Sequence, residues 1–580
     1  MNPTPIAKPD SPADLDDHFL DEHTIPCALR KSAALYPTNP ALCTLDTPPI
    51  TYEELYSTMG SLGQWLGEQG IQFGDKVAIL ADNSPHWGIS YFAITCMGAT
   101  AVPILTEFHP DAIAHIIRHS EAKAIFISPK FLSKIEDASF GKDFIYIDID
   151  NFTLIEEATG KAPLQKLTDA SMREFKKWKD KALRLMVKHP PHVSEDHTAA
   201  IIYTSGTTGH SKGVKLSHKN IVFTAAATDS TEVIYPTDKF FSILPLAHTY
   251  ECTLGLVLPL INGASVTYLG KPPTARVLLP ALAQVKPTIM LSVPLVIEKI
   301  YKNAIAPKLT AKPLTRFLMK FYLSRKLILR MAGKKLAEAF GGNIRCLVIS
   351  GAPLTADVER FLFHSGFPYI IGYGLTETSP TCAVPKLSGA RLGSSGYALA
   401  GVSIRIASPD PQSGIGEVEI HGDNVMKGYY KLPDLTQEVM TEDGWFKTGD
   451  LGTLDNDGYL FIRGRSKNMV LGPSGENIYP EEIESFFFEY PYVNEVLVYM
   501  GSGGKLTARV HLNETYLEDS LGHLPLAEQH AAIVNLLEKT RAEVNQKASS
   551  FARVHKIIQQ IEPFEKTPTQ KIKRYLYVDE

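Results

Sequence analysis

Several features that mark special classes of protein are scarce in this sequence. There are six cysteines, at Cys27, Cys43, Cys96, Cys252, Cys346 and Cys382. None stands in a CxxC pair or at metal-ligand spacing, which argues against a disulfide framework and a zinc site. Reduced, buried thiols of a cytoplasmic enzyme are the expectation. Neither sign of charge is in excess. A net charge of −5 gives no global attraction to nucleic acid or anionic lipid, so any such attraction must come from a local patch, and no nucleic-acid partner is expected. The opening stretch MNPTPIAKPDSPADLDDHF is polar and has no apolar core, so it does not read as a signal peptide. The longest run without Asp, Glu, Lys or Arg extends from Asn83 to Thr106. Its length would permit a membrane span, but it contains His86 and Gly98 and continues a strand–helix–strand pattern. No period of self-similarity marks a solenoid.

What is present points to a globular enzyme. The 580 residues suffice for several domains, and 44% hydrophobic with 21% charged residues is an ordinary balance. From Lys76 the chain alternates short β-branched runs (Val77–Leu80, Ala101–Ile104, Ala124–Ile127) with helical stretches, one of them around Asp111–Arg118. The rhythm returns at Ser242–Leu244, Ser265–Tyr268, Thr288–Leu291 and Cys346–Ser350. This predicts an α/β fold with doubly wound parallel sheets. Past Gly414, strands with turn signals dominate and predict a β-rich subdomain. From Ser466 a small mobile α+β unit is expected: a helix from Pro480 to Glu489, strands Glu495–Tyr499 and Leu506–Leu512, a helix with Pro525 in its first turn, and a strand Lys556–Ile561. The expected domains are 1–465 and 466–580.

The strongest chemical signal is Tyr203-Thr204-Ser205-Gly206-Thr207-Thr208-Gly209-His210-Ser211-Lys212-Gly213, which follows the strand-like run Ala199–Ile202. A loop so rich in Gly, Ser and Thr can turn many N–H and hydroxyl donors onto an anion, and Lys212 adds a mobile charge. It lacks Walker A spacing. The motif resembles the phosphate-binding signature of the adenylate-forming superfamily, which includes acyl-CoA synthetases, peptide-synthetase adenylation domains and firefly-type luciferases.

Five further segments resemble that family's motifs in its own order. Pro245-Leu246-Ala247-His248 is similar to the acyl-pocket segment. Ser350-Gly351-Ala352-Pro353-Leu354 is similar to the adenine-contacting turn. Tyr373-Gly374-Leu375-Thr376-Glu377-Thr378 looks like the segment giving adenine an aromatic face and magnesium a carboxylate. Thr448-Gly449-Asp450, with Gly464-Arg465 after it, looks like the ribose site. Pro568-Thr569-Gln570-Lys571-Ile572 looks like the loop with the mobile catalytic lysine, though the family usually has Gly where Gln570 stands. Ser211 likewise replaces a common proline.

The resemblance implies that ATP, Mg²⁺ and coenzyme A are used. Thr204 and Glu377 would hold the metal, oxygen donors suiting that hard cation. Tyr373, Gly374, Thr376, Asp450, Arg465, Gly351, Ala352 and Pro353 would surround the nucleoside. His248 would lie near the reacting carboxylate. Lys571 would place positive charge over two converging anions. Lys467 would be the hinge about which the small domain rotates between two half-reactions, presenting the loop Gly472–Asn477 for the second.

Features similar to the long-chain subfamily (Leu246–Glu251, Val296–Tyr301 and Phe340–Arg345) imply a long-chain fatty acid, with Gly255–Leu260 and Ala264 either lining an apolar tunnel or forming ordinary core. Between Lys312 and Lys335 lie eight Lys/Arg and no acid, interleaved with large apolar residues. That pattern fits either an interfacial helix in peripheral contact with an anionic membrane or an amphipathic helix packed on the domain. Lys176–Lys188 is a second basic stretch, read as a solvated face. A carrier-protein thiol as acceptor and a catalytically silent nucleotide or acyl binder are the alternatives. Oligomeric state is left open.

Overall fold

The computed structural model describes residues 22–155, 192–204, 211–271, 273–310, 313–471, 477–501, 505–549, 552–567 and 571–578. The Lys176–Lys188 stretch, Lys312, residues 205–210 of the phosphate loop, residues 472–476 and residues 568–570 fall outside this set.

Two seven-stranded sheets carry most of the chain. One runs in the order Thr153–Leu154, Ile145–Asp148, Ala122–Ile127, Lys76–Leu80, Thr100–Pro103, Thr198–Thr204, Lys212–Ser217. Its inner strands are parallel and its two outermost strands are antiparallel to their neighbours. The other runs Tyr369–Ile371, Cys346–Ile349, Ile289–Ser292, Lys239–Ser242, Ser265–Tyr268, Pro40–Thr44, Ile50–Thr51, parallel except for its last strand. Helices cover the faces of parallel sheets, so their strands read as continuous apolar runs rather than alternations. The doubly wound expectation is met twice.

The charge-free run has its place here. Ser84 accepts a hydrogen bond from the Trp87 N–H and caps a 12-residue helix, Pro85–Cys96, before the strand Thr100–Pro103. Trp87, Tyr91 and Phe92 are fully buried in a core that includes residues of both sheets. A helix apolar on every side belongs in the interior, and at about 18 Å this one is too short to span a bilayer. No helix among the described residues is long and apolar enough to cross a membrane. All six cysteines are unpaired; Cys252, Cys346 and Cys382 are buried and the other three half-buried.

Beyond the sheets, Val402–Ala407, Gly416–Gly422, Phe446–Leu454 and Leu460–Arg465 form an antiparallel meander. The C-terminal region is a three-stranded sheet, Val493–Gly501, Lys505–Leu512 and Lys556–Gln560, with helices Pro480–Phe487 and Leu526–Lys547.

Three local expectations shift. The strand placed at Ser242–Leu244 is Lys239–Ser242, because the Asn83 side chain claims the next residues: its Nδ2 donates to the Leu244 carbonyl at 2.6 Å and its Oδ1 accepts from the Leu246 N–H at 2.8 Å. Pro525 is the N-cap of its helix with extended backbone (φ −61, ψ 149), not part of the first turn. A helix missed in the sequence, Glu514–Leu521, precedes it, capped by Asn513. The basic stretch is two helices, Pro313–Leu318 and Tyr322–Ala339, rather than one.

Candidate active site

The motif residues gather where strands end. Thr204 is the last residue of Thr198–Thr204 and pairs with Lys212, the first of Lys212–Ser217. The two are therefore the stalks of the phosphate-loop hairpin. In the other sheet, Cys346–Ile349 and Tyr369–Ile371 are adjacent and parallel. The turn 350–354 leaves the first and the segment 372–378 leaves the second. The Gly372 N–H donates to the Ile349 carbonyl at 3.0 Å and the Ser350 hydroxyl to the Gly372 carbonyl at 2.9 Å, tying the two together. A crevice outside the carboxyl ends of parallel strands is where open α/β sheets bind ligands. Gly351, Ala352 and Pro353 are exposed there, and Gly351 takes a φ of +92, which favours glycine. At Gly374 a Cβ would collide with the Pro380 carbonyl.

Tyr373 and Asp450 meet directly. The Tyr373 hydroxyl donates to Asp450 Oδ2 at 2.7 Å, and Arg465 Nε lies 2.7 Å from Oδ1. Asp450 and Arg465 are cross-strand partners in the meander, so register alone brings them together. Burial pushes the Asp450 carboxyl up, and Arg465, the Tyr373 hydroxyl and Lys571 pull it back down.

Glu377 sits in the short turn Thr376–Thr378. One carboxylate oxygen accepts from the Tyr429 hydroxyl at 2.9 Å. The Lys212 ammonium lies 5.3 Å from the Tyr429 ring centroid. Tyr429 bridges to Val214 by backbone, and the Tyr430 N–H donates to the Gly213 carbonyl at 2.7 Å. Sequence reasoning missed Tyr429, although it joins the phosphate hairpin to the metal-binding candidate. Its segment Gly428-Tyr429-Tyr430 carries no chemical signature, and only the paired tyrosines beside a glycine would have drawn notice. A brace behind the same hairpin was also missed: His119 Nδ1 lies 2.7 Å from the Tyr203 hydroxyl, and the Tyr430 hydroxyl donates to Glu121 at 3.0 Å.

Lys571 stands at the far end of the chain, near a small turn in which the Thr567 N–H donates to the Lys571 carbonyl at 2.8 Å. The residue is open to solvent overall, but its ammonium is in a crowded cleft. Desolvation and then Arg465 hold it below the ordinary lysine range, against the pull of Asp450 and Glu377. His248 lies close enough to feel it: burial and then the Lys571 charge bring the imidazole down to about 4, so it is neutral at pH 7. Lys467, just after Arg465, is lowered by burial and then by Arg465, Lys212 and Lys571. Thus Lys212, Arg465, Lys467 and Lys571, drawn from three distant segments, share one cleft with Glu377 and Asp450. Four cations facing two carboxylates make a site that wants a polyanion.

Among the described residues no group of three or more His, Cys, Asp or Glu could hold a metal unaided. Thr204 and Glu377 offer a hydroxyl and a carboxylate oxygen. That sparse oxygen set fits Mg²⁺, which takes one or two protein ligands and completes its shell with phosphates and water.

A narrow apolar cavity adjoins the nucleotide turn. It starts at Ser350 and Gly372 and extends to Thr228 and Glu232, between Tyr250, Leu254 and Leu258 on one wall and Ile289, Leu291, Cys346 and Val348 on the other. Of the stretch Gly255–Leu260 and Ala264, the lining of the cavity includes Leu258. Gly255 does not line it, because it faces the Glu251 side chain. Ala264 is fully buried in the core, its carbonyl accepting from the Tyr52 hydroxyl at 2.7 Å.

Known proteins resemble this chain over most of its length. Residues 29–430 match the family model described as AMP-binding enzyme. Long chain acyl-CoA synthetase 4 of Arabidopsis thaliana is 30% identical over 513 residues, covering 82% of this chain and 76% of that protein. The chloroplastic long-chain-fatty-acid–[acyl-carrier-protein] ligase AEE15 of the same plant is 28% identical over 548 residues, covering 82% of this chain and 74% of that one. Among solved structures, ATP-bound MatB from Rhodopseudomonas palustris superposes with a TM-score of 0.75 at 25% identity, over 96% of this chain and 98% of MatB.

Proposed function

The chain belongs to the AMP-binding enzyme family, and we propose that its cleft joins a long-chain fatty acid to coenzyme A in two steps driven by ATP. It is an ATP-dependent, AMP-forming acid–CoA ligase. In the first step the fatty carboxylate attacks the α-phosphorus of ATP and pyrophosphate leaves. In the second the thiol of coenzyme A attacks the acyl carbon of the adenylate, a thioester forms and AMP departs. The observation that carries this reading is the convergence of Lys212, Arg465, Lys467 and Lys571 on Glu377 and Asp450.

Each residue has a task there. Asp450 accepts the ribose hydroxyls through lone pairs that Tyr373 and Arg465 leave open. Gly351 to Pro353 and Tyr373 flank the base. Thr204, Lys212 and the loop residues Ser205, Gly206, Thr207, Thr208 and Gly209 hold the phosphates. Glu377 and Thr204 would hold Mg²⁺, which would neutralise phosphate charge. The substrate acid is already ionised at neutral pH, so no general base is required. Lys571 covers the charge that gathers at phosphorus, and the neutral His248 offers the carboxylate a hydrogen bond.

The unit 466–580 is the moving part of this reading, and Lys467, in the turn Ser466–Asn468 directly after the strand ending at Arg465, is its hinge. The orientation described here, with Lys571 beside Glu377 and Asp450, serves adenylation; rotation would withdraw the lysine and admit the thiol.

The test is pyrophosphate release with ATP and Mg²⁺ against acids from acetate to oleate, with and without coenzyme A, and products identified by mass spectrometry. A CoA-dependent long-chain thioester is the expected product. Adenylate that does not pass to coenzyme A favours the carrier-protein acceptor named for AEE15. No turnover with any acid sinks the reading.

The same reading places the enzyme at an anionic membrane surface. Leu323, Leu327 and Met331, four residues apart on Tyr322–Ala339, are 78%, 61% and 56% exposed. Phe317 and Phe321 stack edge to face beside them and are also exposed. Arg316, Lys320, Arg325, Lys326, Arg330, Lys334 and Lys335 surround this apolar stripe. Exposed apolar area ringed by basic residues is what an interfacial helix presents. Sedimentation with phosphatidylserine-containing vesicles should carry the protein down, and Leu323→Ser/Leu327→Ser should release it. Equal binding to neutral vesicles, or none, counts against the contact.

A further inference from the structure

The wall of the apolar cavity that carries Tyr250, Leu254 and Leu258 is not an ordinary helix. Glu251–Val257 is a π-helix running into the short helix Leu258–Ile261, and every residue of it is buried. A π-turn is wider than an α-turn and uncommon because it packs less well, so it persists where other contacts hold it, frequently at functional sites. The widened turn sets how far each wall side chain reaches into the cavity.

One buried polar group occupies that turn. Glu251 is 1% exposed. Its carboxyl lies against Gly255: a Cβ built there would be 2.7 Å from Glu251 Cδ and 2.8 Å from Oε1. The Ser242 hydroxyl is near enough to the carboxyl to favour its charged form, but less than burial disfavours it. Asn83 Nδ2 in turn donates to Ser242 Oγ at 3.0 Å, and Asn83 also clamps Leu244 and Leu246. The second carboxyl oxygen, Oε2, has no hydrogen-bond partner among the described residues, and neither have the Tyr91 and Tyr268 hydroxyls. A full charge in such surroundings, with no cation beside it, would be very costly. Burial accordingly pushes Glu251 up to about 8, so the neutral acid prevails at pH 7.

We propose that the apolar cavity receives the acyl chain and that the Glu251 carboxyl, seated in the notch at Gly255, is a positioning group that fixes its π-helical wall and thereby the chain length the enzyme prefers. The inference rests on the acyl-ligase reading above. Glu251 touches neither ATP nor the reacting carboxyl; it acts through Tyr250, Leu254 and Leu258. Asn83 joins Ser242, which lies beside the carboxyl, to Leu244 and Leu246 in the segment bearing His248.

The test compares wild type with Gly255→Ala, Glu251→Ala and Glu251→Gln across acids of four to eighteen carbons. Gly255→Ala puts a methyl group where the carboxyl now lies and should lower the long-to-short ratio of kcat/KM at least tenfold, with KM for ATP unchanged. Glu251→Ala should shift the ratio the same way. Glu251→Gln keeps size and neutrality, and should retain the wild-type profile. Affinity for cis-parinaric acid, a fluorescent long-chain acid, gives a second readout without turnover. It should weaken in the two Ala variants and hold in the Gln variant. Folded Ala variants with the wild-type ratio and affinity overturn the inference, as does a Gln variant that behaves like Glu251→Ala. Should Gly255→Ala fail to fold, the Glu251 pair decides. A wild type that binds the fluorescent acid but turns over none refutes the ligase reading, while the affinities still judge the wall.

Discussion

Asp450 and Glu251 are both buried acids, and burial pushes both carboxyls up, yet their surroundings differ in kind. Asp450 has Arg465 on one oxygen and the Tyr373 hydroxyl on the other, with Lys571 close by, all favouring the ionised form. Glu251 has an oxygen without a partner and, among its influences, a nearby serine hydroxyl but no cation. The cleft thus gives its buried acid three partners that favour a charge, which suits the proposed ribose and polyanion site. The wall of the apolar cavity leaves its buried acid without the partners a charge would need. Buried acids in one molecule therefore cannot be assigned roles from burial alone; the partners decide.

The largest effect expected is at Lys571. Lys571→Ala should cut the first half-reaction by roughly 10²–10³-fold, the scale of losing one preorganised electrostatic contact. Pyrophosphate release measures it, with little change in melting temperature because the residue is open to solvent. Retained adenylation would remove the cleft's main distinction from the acyl wall. Next comes the pair beside it. Asp450→Ala leaves Arg465 without its partner and Tyr373 without its acceptor, and should destabilise the fold by about 3 kcal/mol, read as a lower melting temperature. Glu251→Gln, equally buried, should cost far less.

A third test uses pH. Glu251 is raised to about 8, so the unfolded chain gives up that proton near pH 4.5 while the fold keeps it. Its stabilising contribution is fully present below pH 4.5 and is lost as pH rises through 8. His248, lowered to about 4, has the opposite sign: its contribution is present above pH 6.5 and is lost as pH falls through 4. Nearby Cys252, pushed up to about 12 from 9.0, loses stabilising contribution as pH approaches 9, but equally in wild type and variant, so it cancels in the comparison; Tyr91 and Tyr268 are raised further from neutrality. Melting temperatures from pH 5 to 9 should show Glu251→Gln gaining on wild type on the alkaline side, and His248→Gln gaining on the acid side. The smallest effect belongs to Tyr429→Phe. Without its hydroxyl, Glu377 loses an orienting donor, and half-saturating Mg²⁺ should rise roughly tenfold.

Much of the cleft was legible because its chemistry is written in short contiguous motifs. The phosphate hairpin, Tyr373 to Glu377, and Asp450 each occupy a strand end or turn whose composition announces it. Asn83, Tyr429 and His119 were not legible, since each acts through a partner far along the chain and sits in a segment with no signature. The interleaved apolar and basic residues after Pro313 left two readings open. The sequence period could not say whether Leu323, Leu327 and Met331 faced a neighbour or solvent; their exposure does.

The order of strands and helices, the anion-binding loop, the acidic and basic members of the cleft and the family they resemble follow from the sequence by itself, because local composition and spacing encode them. Tertiary structure decided which charges meet. It brought Lys571 to residues more than a hundred positions away, seated Glu251 against a missing Cβ at Gly255, and turned an apolar stripe outward. Charge state, cavity shape and exposure depend on neighbours that only folding supplies.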